Sequence, residues 1–335
     1  MDAPEPAAVL AAFRIPGPAV DMSEVSGAWS NRVFRLTTAR SRYAVKQILN
    51  PWGDAGWQAW LDVAWQFERR AYEAGVEMPQ PIPNPADGSC LAWVEASNGR
   101  PVPVRLHRWV DGAALGSEPV DRATAQWAGR VLAVLHGLQF QPAERSVFPA
   151  LHTGTADTWP DLIRASVDAR SPWAGLLVEA EPAVGVIADL VRDAELPEGP
   201  DPMSHADFDQ KNIVRSPRGP VLCDWDVAAP VVPRQELAEA AMSMASWKRV
   251  HIARIVVASY EAIAGRRVKV EPADLGPAMM RSLDWIRFNV ERAIGTRPAS
   301  PHERAASSSL VPSLLQQLPN QAYVAQRVAD LLGAA

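Results

Sequence analysis

The most informative part of the sequence is a pair of short stretches, SHADFDQKN at residues 204–212 and LCDWD at residues 222–226. Together they read H-x-D-x-x-x-x-N, then a short hairpin, then D-x-D. Such a hairpin brings Asp207, Asn212 and Asp224 to one edge. Phosphoryl transfer needs these residue types, because one carboxylate meets the incoming hydroxyl. An amide oxygen and a second carboxylate then hold magnesium against the phosphates of a nucleotide.

Length and composition describe an ordinary globular protein. The chain has 335 residues, of which 48% are hydrophobic and 21% charged, which suits one large two-lobed unit or two domains. The net charge of −5 argues against a nucleic-acid partner bound through its phosphates. Acidic and basic residues are equal in number up to residue 110, so the net charge belongs to the remainder. The net negative charge beyond residue 110 reflects either ordinary surface composition or a site that mildly favours a cationic substrate.

Cysteine content and hydropathy bear on the cellular compartment of the protein. Cys90 and Cys223 form neither a disulfide framework nor a zinc pattern. The chain opens without a basic-then-apolar leader, and no apolar run is long enough to span a bilayer. We therefore expect a cytoplasmic protein with no membrane partner, as a monomer or a dimer.

Hydrophobic patterning predicts an N-terminal lobe with a small sheet and one helix. Alternation over 32–37 and 43–48 predicts one hairpin, and helical periodicity covers 57–75. The Asn98-Gly99 turn between 89–95 and 101–110 predicts a second hairpin. The predicted nucleotide-binding lobe spans 1–110 and ends in a hinge.

The remaining part, 111–335, is predicted to be a mainly helical catalytic and acceptor-binding lobe. One short β interlude is expected at 213–215 and 221–223. The predicted fold class is therefore α+β. Helical patterns cover residues 122–138, 160–167, 173–178, 184–193, 235–251, 252–264, 277–294 and 310–332.

The two stretches resemble the aminoglycoside phosphotransferase and choline kinase family, whose fold is similar to that of protein kinases. The resemblance covers nearly the whole chain. It implies that Asp207 is the catalytic aspartate and that His205 orients the loop. It further implies Asn212 and Asp224 as magnesium ligands, with ATP as the nucleotide and GTP as an alternative.

The N-terminal half carries weaker parts of the same resemblance. Tyr43-Ala44-Val45-Lys46 resembles the kinase motif V-A-I-K, which makes Lys46 the candidate for the α/β-phosphates. Glu68 lies mid-helix, where the fold family places the glutamate that pairs with this lysine. The alternatives are a solvated edge-strand lysine and a surface glutamate, since Glu73 and Glu77 are near.

Two further segments complete the expected nucleotide site. The stretch VSGAWSN at 25–31 sits where a phosphate-covering loop belongs, with candidates Ser26, Gly27, Ser30 and Asn31. Residues 106–110 would form the interlobe hinge that offers backbone groups to adenine, with candidates Arg108 and Val110.

The chain departs from protein kinases at three motifs. Its phosphate loop has one glycine, and the metal motif reads D-W-D instead of D-F-G. The catalytic loop reads H-A-D instead of H-R-D, so it has no arginine to receive an activation-loop phosphate. The missing arginine argues against protein-kinase activity and against regulation by an activation-loop phosphate.

The candidates for acceptor contact are acidic and aromatic residues, namely Asp209, Asp226, Trp247, Asp284 and Trp285. Asp226 is equally open to a second metal contact, a base-orienting role or an ordinary turn role. Asp284 and Trp285 lie on a late helix that could equally present a core face and a solvated face.

The favoured function is ATP-dependent transfer of the γ-phosphate to a hydroxyl of an aminoglycoside or another hydroxylated antibiotic or metabolite. One alternative is a choline, ethanolamine or other amino-alcohol kinase, which would hold an ammonium in an aromatic and acidic cage. An alternative of another class is a nucleotide-binding pseudokinase that serves as a scaffold.

Overall fold

The computed structural model describes residues 2–25, 31–50, 53, 55–148, 154–195 and 201–333. The chain groups into two compact units whose borders differ from the predicted boundary at residue 110. The segment that carries H-x-D and D-x-D groups with the N-terminal residues. The first unit is Met1–Ser117, Val134–Phe148 and Pro202–Pro230, and the second is Glu118–Ala133, Pro149–Asp201 and Val231–Ala335.

A six-stranded antiparallel sheet forms the frame of the first unit. Its order is β1-β2-β3-β6-β4, and β5 also pairs with β6. Both predicted hairpins are present, and the first strand is one that the sequence patterns did not predict. The strands are β1 (Ala19–Val25), β2 (Arg32–Thr38), β3 (Arg42–Gln47), β4 (Pro81–Ile82), β5 (Ala92–Glu95) and β6 (Pro101–Arg108).

Two helices belong with this sheet, α1 (Pro6–Ala12) and α2 (Trp57–Glu73). The apolar spacing of α2 buries Leu61, Phe67 and Ala71, as the periodicity predicts. The same face also buries Glu68 completely, with 0% of its surface exposed. A buried carboxylate is costly unless it is paired, so Glu68 requires a cationic partner inside the unit.

Short elements carry the loop residues of the first unit. The strands are β7 (Ala113–Ala114), β8 (Met203–Ser204), β9 (Ile213–Ser216), β10 (Gly219–Leu222) and β11 (Ala229–Pro230). Strands β9 and β10 form the predicted hairpin, and β8 pairs with β11. The H-x-D-x-x-x-x-N stretch ends in a 3-10 helix, Gln210–Asn212. The D-x-D stretch leads into a second one, Trp225–Val227.

The second unit is helical. Helix α3 (Arg122–Gly137) has residues in both units. The others are α4 (Gly154–Asp157), α5 (Trp159–Asp168), α6 (Ala174–Arg192), α7 (Pro233–Met244), α8 (Val250–Ala264), α9 (Gly276–Ile294), α10 (Pro301–Gln326) and α11 (Val328–Gly333). No helix in the described part of the chain is both long and apolar enough to cross a membrane.

Helix α6 corrects the sequence reading, which placed separate helices at 173–178 and 184–193. It runs unbroken through Pro182 because its apolar face packs on α5, α9 and α10. Tertiary packing therefore outweighs the cost of an internal proline. The start of α9 approaches α6 so closely that a Cβ on Gly276 would lie 2.5 Å from the carbonyl oxygen of Leu190.

Candidate active site

The loop after β8 presents Asp207. Ala206 precedes it with φ at +62°, a left-handed conformation that turns the chain toward the loop. The Nδ2 atom of Asn212 donates to Oδ2 of Asp207 at 2.8 Å and to its backbone oxygen at 2.9 Å. The Nζ atom of Lys211 donates to Oδ1 at 2.8 Å. The first and last residues of the D-x-x-x-x-N motif are therefore hydrogen-bonded to each other, and the 3-10 helix lies within the motif.

These contacts set the charge state of Asp207. Burial alone would raise the pKa of its carboxyl, but the Lys211 charge and the hydrogen bonds from Lys211 and Asn212 hold the pKa below its usual value. The side chain keeps 28% of its surface exposed. Asp207 is therefore an ionised carboxylate that an incoming group can reach.

His205 ties the loop to the second stretch. Its ring is fully buried and packs edge-on against Trp225, with ring centroids 4.9 Å apart. Its Nε2 atom lies 2.9 Å from the backbone oxygen of Cys223 and donates to it. The amide of Cys223 in turn donates to the backbone oxygen of Asn212 at 2.7 Å. These two bonds fix the backbone that precedes Asp224 against the loop that carries Asp207.

The two aspartates of D-x-D have different surroundings. Asp224 has φ at +67°, and 45% of its side chain is exposed. Asp226 is only 12% exposed, and both of its oxygens accept hydrogen bonds from side chains of the protein. Burial would raise the pKa of Asp226, but the charges of Lys46 and Arg105 hold it well below its usual value. Asp226 thus anchors protein groups in this structure, and its role as an acceptor contact stays a prediction.

Lys46 binds both aspartates. Its Nζ contacts Oδ1 of Asp224 and lies 2.5 Å from Oδ2 of Asp226. Burial would lower the pKa of Lys46, but these two charges outweigh it and raise the pKa above its usual value. The lysine is therefore charged, and it points at the D-x-D stretch.

The predicted Lys46–Glu68 pair is wrong in this structure. Glu68 instead binds Nη2 of Arg105, and its Oε1 lies 2.8 Å from Nε2 of His107. Burial would raise the pKa of Glu68, but the charges of Arg105 and His107 hold it below its usual value. The physical reason is geometric: Arg105 and His107 lie two positions apart on β6, on the sheet face that α2 covers.

Sequence reasoning missed Arg105 and His107. The strand register supplies the signal, because Arg105 pairs directly with Lys46 across β3 and β6. Two adjacent cations on one sheet face require carboxylates near them.

The described residues include only part of the predicted phosphate loop. Ser26, Gly27 and Ser30 lie outside the described residues. Asn31 donates from Nδ2 to Oδ2 of Asp226 at 3.3 Å and accepts from the Leu49 amide at 3.0 Å. It therefore links the end of that segment to D-x-D.

The first hinge candidate, Arg108, is the last residue of β6. The Arg108 amide donates to the Gln80 carbonyl at 2.9 Å, and its guanidinium lies over the Tyr43 ring, 4.8 Å from the ring centre. Its backbone donor is thus occupied inside the sheet. The contacts of Arg108 and Val110 with adenine stay predictions.

The remaining acceptor candidates lie in both units. Asp209, in the first unit, caps the 3-10 helix by accepting from the Lys211 amide at 3.0 Å. In the second unit, Asp284 accepts from the Thr155 hydroxyl, and Trp285 stacks on Phe288 with ring centroids 5.5 Å apart. Trp247 follows α7 with φ at +55°. Their acceptor roles stay predictions.

The donor atoms of the first unit fit a hard divalent cation. Both Nδ2 bonds of Asn212 go to Asp207, which leaves Oδ1 of Asn212 as an oxygen ligand, and the carboxylate of Asp224 is exposed as a second one. Burial raises the pKa of the neighbouring Cys223 thiol to about 12, so no thiolate competes. No group of three or more His, Cys, Asp or Glu in the described residues could hold a metal alone. Magnesium sites that phosphates complete use one or two carboxylates in this way.

Comparisons with solved structures show the fold. The chain is similar to spectinomycin phosphotransferase in complex with ADP and spectinomycin, with a TM-score of 0.70 at 11% identity over 94% of this chain and 95% of that chain. It is similar to a microcompartment-associated aminopropanol kinase, with a TM-score of 0.62 at 16% identity over 98% and 97% of the two chains. Amicoumacin kinase in complex with AMP-PNP and Ca²⁺ gives a TM-score of 0.57 at 12% identity over 90% and 88%.

The predicted protein-kinase-like fold, with an antiparallel sheet in the N-terminal lobe and a helical C-terminal lobe, is confirmed. The comparison with curated proteins gives no match. The profile of the phosphotransferase enzyme family matches residues 21–270. Since the match includes Lys46, Asp207, Asn212 and Asp224, and spans more than half of the chain, the protein belongs to the phosphotransferase enzyme family.

Proposed function

We propose that the protein transfers the γ-phosphate of ATP, with GTP as an alternative donor, to a hydroxyl of a small molecule. The observation that carries this proposal is the meeting of four groups in one compact unit. The ionised carboxylate of Asp207 is held by Asn212, and the charged Lys46 contacts the exposed carboxylate of Asp224. The bond from the Cys223 amide to the Asn212 backbone oxygen joins these two pairs.

Asp207 would receive the acceptor hydroxyl. Its two oxygens are oriented by Lys211 and Asn212, so the carboxylate has one fixed direction. A carboxylate with a lowered pKa is a weak base, which suits a loose transition state where the proton leaves late. Orientation of the hydroxyl therefore contributes more to the rate than proton abstraction does.

Asn212 and Asp224 would hold Mg²⁺, and Lys46 would meet the α/β-phosphates. When bound, the metal supplies positive charge beside the phosphate oxygens. Near these groups lie three carboxylates, on Glu68, Asp224 and Asp226, which contact Lys46, Arg105 and His107. Asp224 is the most exposed of the three and is thus the one available to a metal.

For the acceptor we propose an aminoglycoside or another hydroxylated antibiotic or metabolite. The similarity to spectinomycin phosphotransferase supports this choice, and the negative charge of the C-terminal part favours a cationic acceptor. An antibiotic acceptor would make the protein a resistance enzyme. The similarity to an aminopropanol kinase favours an amino-alcohol kinase as the second candidate. Both cysteines are free thiols, which supports a reducing cytoplasmic location.

The test is an ADP-release screen with ATP, Mg²⁺ and a panel of aminoglycosides, other antibiotics, amino alcohols, sugars and nucleosides. Mass spectrometry of each reactive mixture then identifies an acceptor that has gained one phosphate. We expect a product with wild type and its formation at a rate lower by about 10²–10⁴-fold with Asp207→Asn. Nucleotide binding without transfer to any hydroxyl in the panel would instead support the scaffold alternative.

A further inference from the structure

Lys46 and Arg105 are direct cross-strand neighbours on β3 and β6. Their side chains leave the same face of the sheet, because opposite residues of an antiparallel pair share a face. Two like charges in that position repel each other. Asp226 lies between them, with Oδ1 on Nη1 of Arg105 and Oδ2 at 2.5 Å from Nζ of Lys46. The carboxylate thus converts a repulsive pair into a bridged one.

Arg105 is held more tightly than the lysine that it neighbours. Only 1% of its side chain is exposed, and its guanidinium lies against the Trp65 ring, 5.8 Å from the ring centre. Nη1 binds Asp226 and Nη2 binds Glu68, so the two ends of one planar group hold two carboxylates. A lysine has a single point charge and cannot reproduce this fork.

Asp226 in turn has few orientations open to it. Arg105 holds one oxygen, while the other accepts from Asn31 at 3.3 Å and faces Lys46. Glu68 contacts Arg105 and His107, and it is connected to Asp226 through Arg105. The chain of contacts therefore runs from α2 through Arg105 and Asp226 to the ammonium of Lys46.

We propose that Arg105 is a positioning residue of the phosphoryl-transfer site, which holds Asp226 so that Asp226 orients Lys46. Glu68 acts by fixing Arg105 and does not act on Lys46 directly. The inference rests on the proposed function, because it concerns the lysine assigned to the nucleotide phosphates.

The experiment compares R105K and E68Q with wild type. The readouts are the dissociation constant of ADP by calorimetry, the KM for ATP and the kcat of transfer. We expect R105K to weaken ADP binding about tenfold, the factor for one hydrogen bond to a charged group. E68Q keeps an acceptor oxygen for Arg105, so we expect a loss below about threefold. The R105K loss falls on the KM for ATP more than on kcat.

R292K is the matched control. Arg292 is also nearly buried and pairs with Glu303 at 3.1 Å, but it lies on α9 in the second unit. This variant shares the cost of replacing a buried guanidinium and leaves the contacts of Lys46 intact. We expect its ADP affinity to equal that of wild type.

The outcomes separate the inference from the proposed function. ADP affinity of R105K equal to wild type, or a loss in E68Q that equals or exceeds that in R105K, overturns the inference alone. Absence of ADP binding by wild type overturns the proposed function and the inference with it. If R105K does not fold, E68Q decides: a loss below threefold supports the inference, and a larger loss overturns it.

Discussion

The catalytic loop at 204–212 and the buried ion cluster of Lys46, Glu68, Arg105, His107 and Asp226 are built in opposite ways. The loop orients Asp207 with bonds from Lys211 and Asn212, which lie four and five positions further along the chain. The cluster joins groups that are far apart in sequence, since Arg105 and Asp226 are separated by 121 positions. Local spacing therefore predicts the loop, whereas the cluster depends on strand register and helix packing.

The two regions also differ in exposure. Asp207 and Asp224 keep part of their surface exposed, while Glu68 and Arg105 are buried. We infer that the exposed carboxylates serve the chemistry and that the buried ones hold cations in place. Substitutions in the loop should therefore reduce turnover, and substitutions in the cluster should reduce stability first.

The largest expected effect follows from Asp207→Asn. Turnover should fall by about 10²–10⁴-fold, the usual contribution of a positioned acid or base. The neutral amide lacks the charge that Lys211 holds in place for orienting the hydroxyl, and it cannot accept the hydroxyl proton. Unfolding midpoint and ADP affinity should stay near wild type. Steady-state kinetics and calorimetry measure the three quantities. Asp189→Asn, an exposed change on α6, is the control, and full turnover in Asp207→Asn would refute the catalytic assignment.

Arg105→Met should give the largest loss of stability. Breaking a buried pair leaves Glu68 charged and buried, at a cost of about 3–5 kcal/mol. The double variant Glu68→Met/Arg105→Met removes the buried carboxylate that has lost its guanidinium partner and should recover at least half of the loss. Urea denaturation measures both.

The control for this pair is Arg32→Met, which breaks an exposed ion pair with Glu24. Such a pair contributes about 0–1 kcal/mol. A cost for Arg105→Met as small as that of Arg32→Met would contradict the assigned role of the cluster.

The pH dependence of stability should report Glu68. The folded state holds the pKa of Glu68 below the unfolded value of 4.5. Its contribution is therefore complete above pH 4.5 and is lost as the pH falls through the folded pKa. Urea denaturation between neutral and acidic pH should show a flatter acid limb for Glu68→Gln than for wild type. The exposed Glu73→Gln should follow wild type, and identical curves for all three proteins would exclude this account.

The smallest expected effect concerns backbone strain in the loop. Ala206 has φ at +62°, which costs a residue with a Cβ about 1 kcal/mol or more relative to glycine. Ala206→Gly should raise the free energy of unfolding by about 1 kcal/mol. Ala228→Gly, at φ −53° in a buried position, should lower it. A loss of stability in Ala206→Gly would show that its methyl group packs favourably.

Most elements of the sheet and hairpins were predictable, because alternation and the Asn98-Gly99 turn are local signals. Strand β1 was missed since its residues, AVDMSEV, lack a clean alternation and are only half-buried. The unbroken α6 was missed because neighbouring helices, and not local propensity, carry the chain through Pro182.

In the candidate site, too, local sequence predicted some contacts, and others depend on the folded structure. Spacing within nine residues was enough to place Asp207 beside Asn212, and the β9–β10 hairpin was enough to return Asp224. The partner of Glu68 was not predictable by motif comparison, which implied Lys46. The pairing of β3 with β6 places Arg105 directly opposite Lys46, and Arg105 then binds Glu68. Only the folded sheet defines that pairing register.

The most direct test of the central claim is a calorimetric titration of ADP into wild type, Asp224→Asn and Asp226→Asn, with and without Mg²⁺. The account predicts that Mg²⁺ strengthens binding to wild type and has no effect on Asp224→Asn. It predicts weaker binding by Asp226→Asn, with the Mg²⁺ effect retained, since Asp226 holds Lys46 and Arg105. An Mg²⁺ effect retained by Asp224→Asn and lost by Asp226→Asn would contradict the account.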